Sequence, residues 1–175
     1  MNLIFHTVFS ISTAPLCAKK IAEGNKSLKI LTLGFIGNII GHGIMDLIPH
    51  NYPFTRNTDV LISFGVFLLS MLFVKKEYVF SVSFCFLGGV LPDLIDKAFF
   101  PIIGLRNLKI FPWHWATTIN VFYNQYSKLS YQSINIVFKM FNILVIIVSL
   151  CLLLINVKFI VHHMLRHIKT DGKKH

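Results

Sequence analysis

Acidic residues are scarce in this sequence, and their scarcity limits the class of protein. Only 7 of the 175 residues are Asp or Glu, against 17 Lys and Arg, while 54% are hydrophobic. Charged residues make up 14% of the chain, against roughly 25% in an ordinary soluble domain. This composition favours an integral membrane protein.

Paired cysteines are also lacking. Cys17, Cys85 and Cys151 lie in three separate apolar stretches, so the spacing gives neither a disulfide framework nor a CxxC metal or redox motif. We interpret them as small core residues. Residues 98–135 contain no repeat, Gly-rich phosphate loop or Ser nucleophile elbow.

The net charge of +10 does not indicate a nucleic-acid partner. The lysines and arginines flank apolar stretches instead of lining an amphipathic face or alternating with aromatic residues. We therefore expect no binding of nucleic acid and use the charge to orient membrane helices.

Five apolar runs predict an all-α membrane protein with a single domain, 1–175, built as a bundle of about five transmembrane helices. The runs cover residues 3–18, 30–48, 60–74, 78–95 and 140–157. The second, fourth and fifth approach the roughly 20 residues that cross a bilayer, whereas the first and third are short. Residues 98–135 predict an interfacial segment with an amphipathic helix around 113–124, and 158–175 form a basic C-terminal tail.

The basic residues predict the orientation. No basic residue precedes the first apolar run, and Lys19 and Lys20 follow it, which favours a retained helix over a cleaved signal. With the N-terminus outside and the C-terminus cytoplasmic, 11 of the 17 Lys and Arg lie inside, as the positive-inside rule favours. The composition is typical of a bacterial inner membrane.

Polar residues unsuited to lipid all fall on the outer side in this topology. They are His6 at the start of the first helix, His42, Asp46 and His50 at the end of the second, Asp93 and Asp96 at the end of the fourth, and His114 in the following connection. Charged groups at membrane depth are costly and are commonly functional. Because all of these residues lie on the same side of the membrane, we predict that they form a single functional site.

The stretch "GHGIMDLIPH" places His42, Asp46 and His50 four residues apart. Positions four apart share one helix face, so His42 and Asp46 face the same neighbour. Pro49 opens the last turn near His50, which leaves the direction of that side chain open.

The stretch "LGGVLPDLIDK" places Asp93 and Asp96 on roughly one face of the fourth helix. Gly88 and Gly89 allow a neighbouring helix to approach closely. Lys97 is a partner for one of the carboxylates but not for every aspartate of the cluster.

Imidazole and carboxylate are ligands of divalent cations, which favours zinc, with manganese or iron as alternatives. The predicted ligands are His6, His42, Asp46, Asp93 and His114, and the predicted proton acceptor is Asp96 or His50. A purely structural interpretation stays open for each: packing for His6, helix-end ion pairs for the aspartates, and an interfacial position between Trp113 and Trp115 for His114.

The motifs "FHTVFS" and "GGVLPDLID" resemble the bacterial family of membrane-bound metal-dependent hydrolases. The resemblance implies that Asp93 and Asp96 carry the family's acidic motif, here with one extra residue between them, and that His6 belongs to the same site. The family's later histidine motif with arginine is missing, and "WHW" at 113–115 stands in its place. The segment "HGIMDLIPH" is similar to a further group of small membrane proteins.

These observations lead to three functional hypotheses. The first is a hydrolase at the outer membrane interface that uses a metal and acts on an amphiphile, a phospholipid or a lipid-linked phosphoester, so that its partners are membrane lipids. The second is a small ion or metal transporter, although helices 3 and 5 carry no charged residue and no histidine in their centres. The third is a structural accessory protein of the membrane.

Overall fold

The fold is all-helical, as the sequence predicts. The computed structural model describes residues 3–47, 55–126 and 131–165. Within these residues, the β structure consists of one isolated bridge between Val74 and Leu165. The main helices are α1 (Leu3–Ala22), α2 (Ser27–Asp46), α3 (Arg56–Phe73), α4 (Val79–Asp93), α5 (Ala116–Tyr126) and α6 (Tyr131–Ile155). Short 3₁₀ turns cover Lys76–Tyr78 and Pro112–His114, α-helical turns cover Phe100–Ile102 and Val157–Phe159, and wide π-helical turns cover Leu94–Phe99 and Ile160–Met164.

Three segments of the described chain are long and apolar enough to cross a membrane: Ser27–Asp46, Lys76–Ile102 and Asn135–Ile155. The predicted five-span bundle is therefore not confirmed. The runs at 3–18 and 60–74 do form helices, but α1 carries the buried polar residues His6, Thr7 and Ser10, and the apolar part of α3, Asn57–Phe73, is shorter than a usual span.

Several helices begin or end at residues other than those predicted from the sequence. α6 begins at Tyr131, nine residues before the predicted run at 140–157, because its first turns are polar. α4 continues through its wide turn to Ile102, into the segment predicted as interfacial. The amphipathic helix predicted around 113–124 corresponds to the turn Pro112–His114 and α5. The basic tail starts with ordered structure, since the N–H of Lys75 donates to the carbonyl of Met164 at 2.9 Å; residues 166–175 lie outside the described residues.

Two glycines bring α4 close to its neighbours, as predicted. A Cβ placed on Gly88 would lie 2.3 Å from the carbonyl oxygen of Phe35 in α2, and one on Gly89 would lie 1.8 Å from Oγ of Ser10 in α1. Pro92 follows within the same helix, and the wide turn Leu94–Phe99 begins two residues later. A proline cannot donate to the helical ladder, and wide turns of this kind are frequent at functional sites.

The bundle has one apolar end and one polar end. At the apolar end, Ala18, Val74, Tyr78 and Val82 belong to one buried cluster with Met164. At the opposite end α1 begins, while α2 and α4 finish. Their alternating directions therefore gather the start of one helix and the ends of two others around a common point.

Candidate metal centre

The first turn of α1 is fixed by an aspartate from α3. Both carboxylate oxygens of Asp59 accept hydrogen bonds, from the N–H of Leu3 at 2.8 Å and of Ile4 at 3.0 Å. These N–H groups have no partner within their own helix, and a carboxylate also suits the positive end of the helix dipole. The contact places His6 one turn inside α1, where it is fully buried and its Nε2 lies 3.1 Å from Oδ1 of Asp46.

α2 supplies His42 and Asp46 from one face, as their spacing predicts. Nε2 of His42 lies 3.3 Å from Oδ2 of Asp46. Nδ1 of His42 lies 2.6 Å from the carbonyl oxygen of Gly89, and because a carbonyl only accepts, Nδ1 carries the proton and donates it. Nε2 is thereby directed at the carboxylates. This is how metal-binding histidines are usually held.

α4 supplies Asp93, which is buried and faces both α2 and its own next turn. Its Oδ1 lies 3.6 Å from Nε2 of His42 and 2.5 Å from Nζ of Lys97. Lys97 also reaches Oδ2 of Asp46 at 3.1 Å. The lysine predicted to serve one carboxylate thus serves two, and its ammonium offsets part of their negative charge.

Asp96 faces away from Lys97 and organises the connection after α4. Its carboxylate accepts hydrogen bonds from the N–H groups of Ile110 at 2.9 Å and Phe111 at 3.0 Å, and its backbone carbonyl accepts one from Lys109. Its Oδ2 also lies 2.9 Å from Nδ1 of His114. Both carboxylate oxygens therefore have partners, which favours an orienting role over the predicted role of proton acceptor.

His114 lies at the edge of the cluster. Its Nδ1 donates to Asp96, and its Nε2 lies 2.8 Å from Oδ2 of Asp46 and 3.3 Å from Oδ1 of Asp93. Burial alone would lower the pKa of His114, but hydrogen bonds to Asp46 and Asp93 outweigh that effect and raise the pKa above its ordinary value. The neighbouring Trp113 packs its ring over Gly43, where an added Cβ would lie 2.6 Å from ring carbon Cε3.

The donors converge on a small volume. One ligand atom from each of His6, His42, Asp46 and Asp93 lies within 4.8 Å of the others. Metal bonds of about 2.0–2.2 Å place neighbouring ligand atoms roughly 3.4 Å apart in a tetrahedral site, close to the 3.1–3.6 Å separations given above for these four residues. Nε2 of His42 and both oxygens of Asp93 are buried, and Oδ1 of Asp93 already lies close to Lys97 and to His114.

The structure thus gathers all five predicted ligands, His6, His42, Asp46, Asp93 and His114, at one end of the bundle. Metal binding itself stays a prediction. The predicted proton acceptor Asp96 lies behind His114, and the alternative, His50, lies outside the described residues. His162 and His163, which belong to the predicted basic tail, are exposed in the turn Ile160–Met164.

Sequence reasoning missed the anchoring role of Asp59. An acidic residue in the first turn of a helix is an ordinary feature, and nothing in the sequence around Asp59 indicates that it binds the start of α1. Comparisons with models of protein families, with curated proteins and with solved structures found no match to this chain.

Proposed function

We propose that this protein is a metal-dependent hydrolase embedded in the membrane, and that it acts on the phosphoester of an amphiphile such as a phospholipid or a lipid-linked phosphate. One observation carries the proposal: one ligand atom from each of two imidazoles and two carboxylates, supplied by three helices, lies within 4.8 Å of the others, so that the group could hold a metal ion. The resemblance to membrane-bound metal-dependent hydrolases in "FHTVFS" and "GGVLPDLID" points the same way.

In this proposal His6, His42, Asp46 and Asp93 hold the cation, with zinc favoured and manganese or iron as alternatives. Such a cation, when bound, lowers the pKa of a coordinated water toward about 7 and polarises a phosphoryl oxygen.

His114 is the proposed proton acceptor, which revises its predicted role as a ligand. Its Nε2 faces the ligand carboxylates at 2.8 and 3.3 Å, and Asp96 holds the other nitrogen at 2.9 Å. A carboxylate behind an imidazole fixes its tautomer and stabilises the imidazolium that forms when the proton is taken. Asp96 is then a positioning residue.

The test measures metal content and activity together. The full-length protein, purified in detergent, is analysed for bound metal and for hydrolysis of a fluorescent phospholipid and of a soluble phosphodiester. His42→Ala and Asp93→Ala are expected to lose both the metal and the activity, whereas His114→Ala keeps the metal and loses roughly 10²–10⁴-fold in rate. The matched control is His162→Ala, because His162 is exposed and lies far along the chain in the turn Ile160–Met164.

The possible results test the metal site, the role of His114 and the enzymatic activity separately. Wild-type metal content in His42→Ala and Asp93→Ala would contradict the site. Loss of metal in His114→Ala would show that His114 is a metal ligand, as the sequence predicts, and not only the proton acceptor. A protein that binds metal but hydrolyses neither substrate would contradict the enzyme and leave transport or a structural role.

Transport of ions or metal is the second candidate, because polar residues continue from the cluster along α1. Asn38 of α2 donates to Oγ1 of Thr13 at 2.9 Å, and both residues line a cavity of about 370 Å³ that also contacts Cys17 and Lys20. Flux of metal or protons through proteoliposomes, lost in Asn38→Leu, would favour this function.

A further inference from the structure

An apolar cavity lies beside the metal centre, between α3 and α4. Its walls include Leu3 of α1, Val60 and Phe64 of α3, Val90 of α4 and Leu94 of the wide turn that follows α4, and its volume is about 110 Å³. A single water needs only ~10–15 Å³ on this measure, but it also needs polar partners, and empty cavities with apolar walls stay dry. Size and lining therefore suit hydrocarbon.

The same cavity touches the donors of the metal centre. Asp93 and Lys97 also line it, and Oδ1 of Asp93 lies 2.5 Å from Nζ of Lys97 and 3.6 Å from Nε2 of His42. A molecule in this cavity meets apolar walls and, next to them, an ammonium group and the proposed metal ligands. Ligand pockets typically combine apolar walls with a few converging polar groups in this way.

A second cavity provides a contrast. It lies between α1, α2 and α6, has a volume of about 180 Å³, and is lined by apolar residues such as Met45, Leu144 and Val148. It offers nothing to hold a headgroup. Of these two cavities, only the one between α3 and α4 matches a molecule that is apolar in one part and anionic in another.

We infer that the cavity between α3 and α4 binds one alkyl chain of an amphiphile whose anionic phosphate headgroup lies at the metal centre, beside Lys97. The inference rests on the proposed function and specifies its substrate class: a single-chain or multi-chain phosphoester with at least one alkyl chain close to the phosphate. Lys97, with 30% of its side chain exposed, supplies positive charge where the headgroup enters.

The experiment compares two phosphonates, which are not hydrolysed, on the full chain loaded with zinc in lipid nanodiscs. Dodecylphosphonate carries a chain for the cavity, and methylphosphonate carries none. Val60→Trp fills the cavity, while Leu61→Trp is the matched control, because Leu61 is the next residue of α3 and is 73% exposed. We expect Val60→Trp to weaken the binding of dodecylphosphonate about tenfold or more, about 1.4 kcal/mol, because the indole ring takes up space that the alkyl chain would occupy. The affinity of Val60→Trp for methylphosphonate should differ from that of the wild type by less than about twofold. The affinity of Leu61→Trp for either ligand should also stay within about twofold, because surface substitutions usually have effects of this small size.

Equal affinity of the two variants for dodecylphosphonate would overturn the inference. A crosslinking experiment on the wild type does not depend on the folding of a variant: a diazirine on the dodecyl chain is expected to label Val60, Phe64, Val90 or Leu94. Labelling confined to exposed residues of α3 outside the cavity, such as Leu68 and Leu72, would overturn the inference. A wild-type protein that holds no zinc contradicts the proposed function alone, because crosslinking still reports whether the chain enters the cavity.

Discussion

Substituting Gly89 with alanine is expected to push α1 away from α4 and to displace His6. The new Cβ would lie 1.8 Å from Oγ of Ser10, 2.8 Å from Cβ of Ser10 and 3.2 Å from the carbonyl oxygen of His6. Rotation of the Ser10 side chain removes only the first of these contacts. The Cβ of Ser10 is fixed to the backbone, so α1 itself must move.

The magnitude follows from two opposing effects. Overfilling a packed contact costs about 1–3 kcal/mol, and a clash that needs a helix to move lies at the upper end of that range. Alanine in a helix interior is favoured over glycine by about 1 kcal/mol. The net loss of unfolding free energy is therefore about 2 kcal/mol, roughly a 30-fold change in the folding equilibrium. Gly37→Ala is the matched control, because a Cβ there meets nothing within 4 Å; it should gain up to ~1 kcal/mol.

The assay is denaturation of the purified protein in mixed micelles, followed by tryptophan fluorescence, with metal affinity measured on the same samples. Gly89→Ala should lose stability and metal affinity, and the double variant with Ser10→Gly, which removes the opposing Cβ, should recover both in large part. Equal stability of Gly89→Ala and Gly37→Ala would refute the close packing of α1 on α4.

Three further predictions concern the residues that hold the site. Asp59→Ala removes the acceptor of two N–H groups of α1 and should lower the unfolding free energy by about 1–2 kcal/mol; unchanged stability in the same denaturation assay would contradict that role. Asp96→Asn should keep the metal and lower the hydrolysis rate roughly 10²–10⁴-fold, and a rate near wild type would show that Asp96 does not orient His114. A histidine accepts a proton only in its neutral form, so activity should rise with pH as His114 loses its proton; activity that falls over that interval would contradict its role as proton acceptor.

The sequence predicted the members of the cluster because helix periodicity is a local property. Four-residue spacing alone places His42 and Asp46 on one face, and the structure has them 3.3 Å apart. Alternating helix directions then predict which helix ends meet, which explains why His6 and Asp93 join them. The imidazole of His42 and the carboxylate of Asp93 come from helices far apart in sequence and lie 3.6 Å from each other.

The roles within the cluster could not be predicted in the same way. Asp96 was a plausible proton acceptor until its contacts with the N–H groups of Ile110 and Phe111 were seen, and those depend on how an irregular connection folds back. The anchoring by Asp59 joins residues 56 positions apart in the chain. The predicted five spans are not confirmed, because α1 carries buried polar residues and the apolar part of α3 is short.

The X-ray absorption spectrum of the zinc-loaded protein at the zinc K-edge tests the central claim most directly. The account predicts a coordination shell of nitrogen and oxygen at about 2.0–2.2 Å with the outer-shell scattering of two imidazoles from His6 and His42. Sulfur at about 2.3 Å, which would indicate Cys17 and Cys85 instead, or zinc without imidazole ligands, would contradict it.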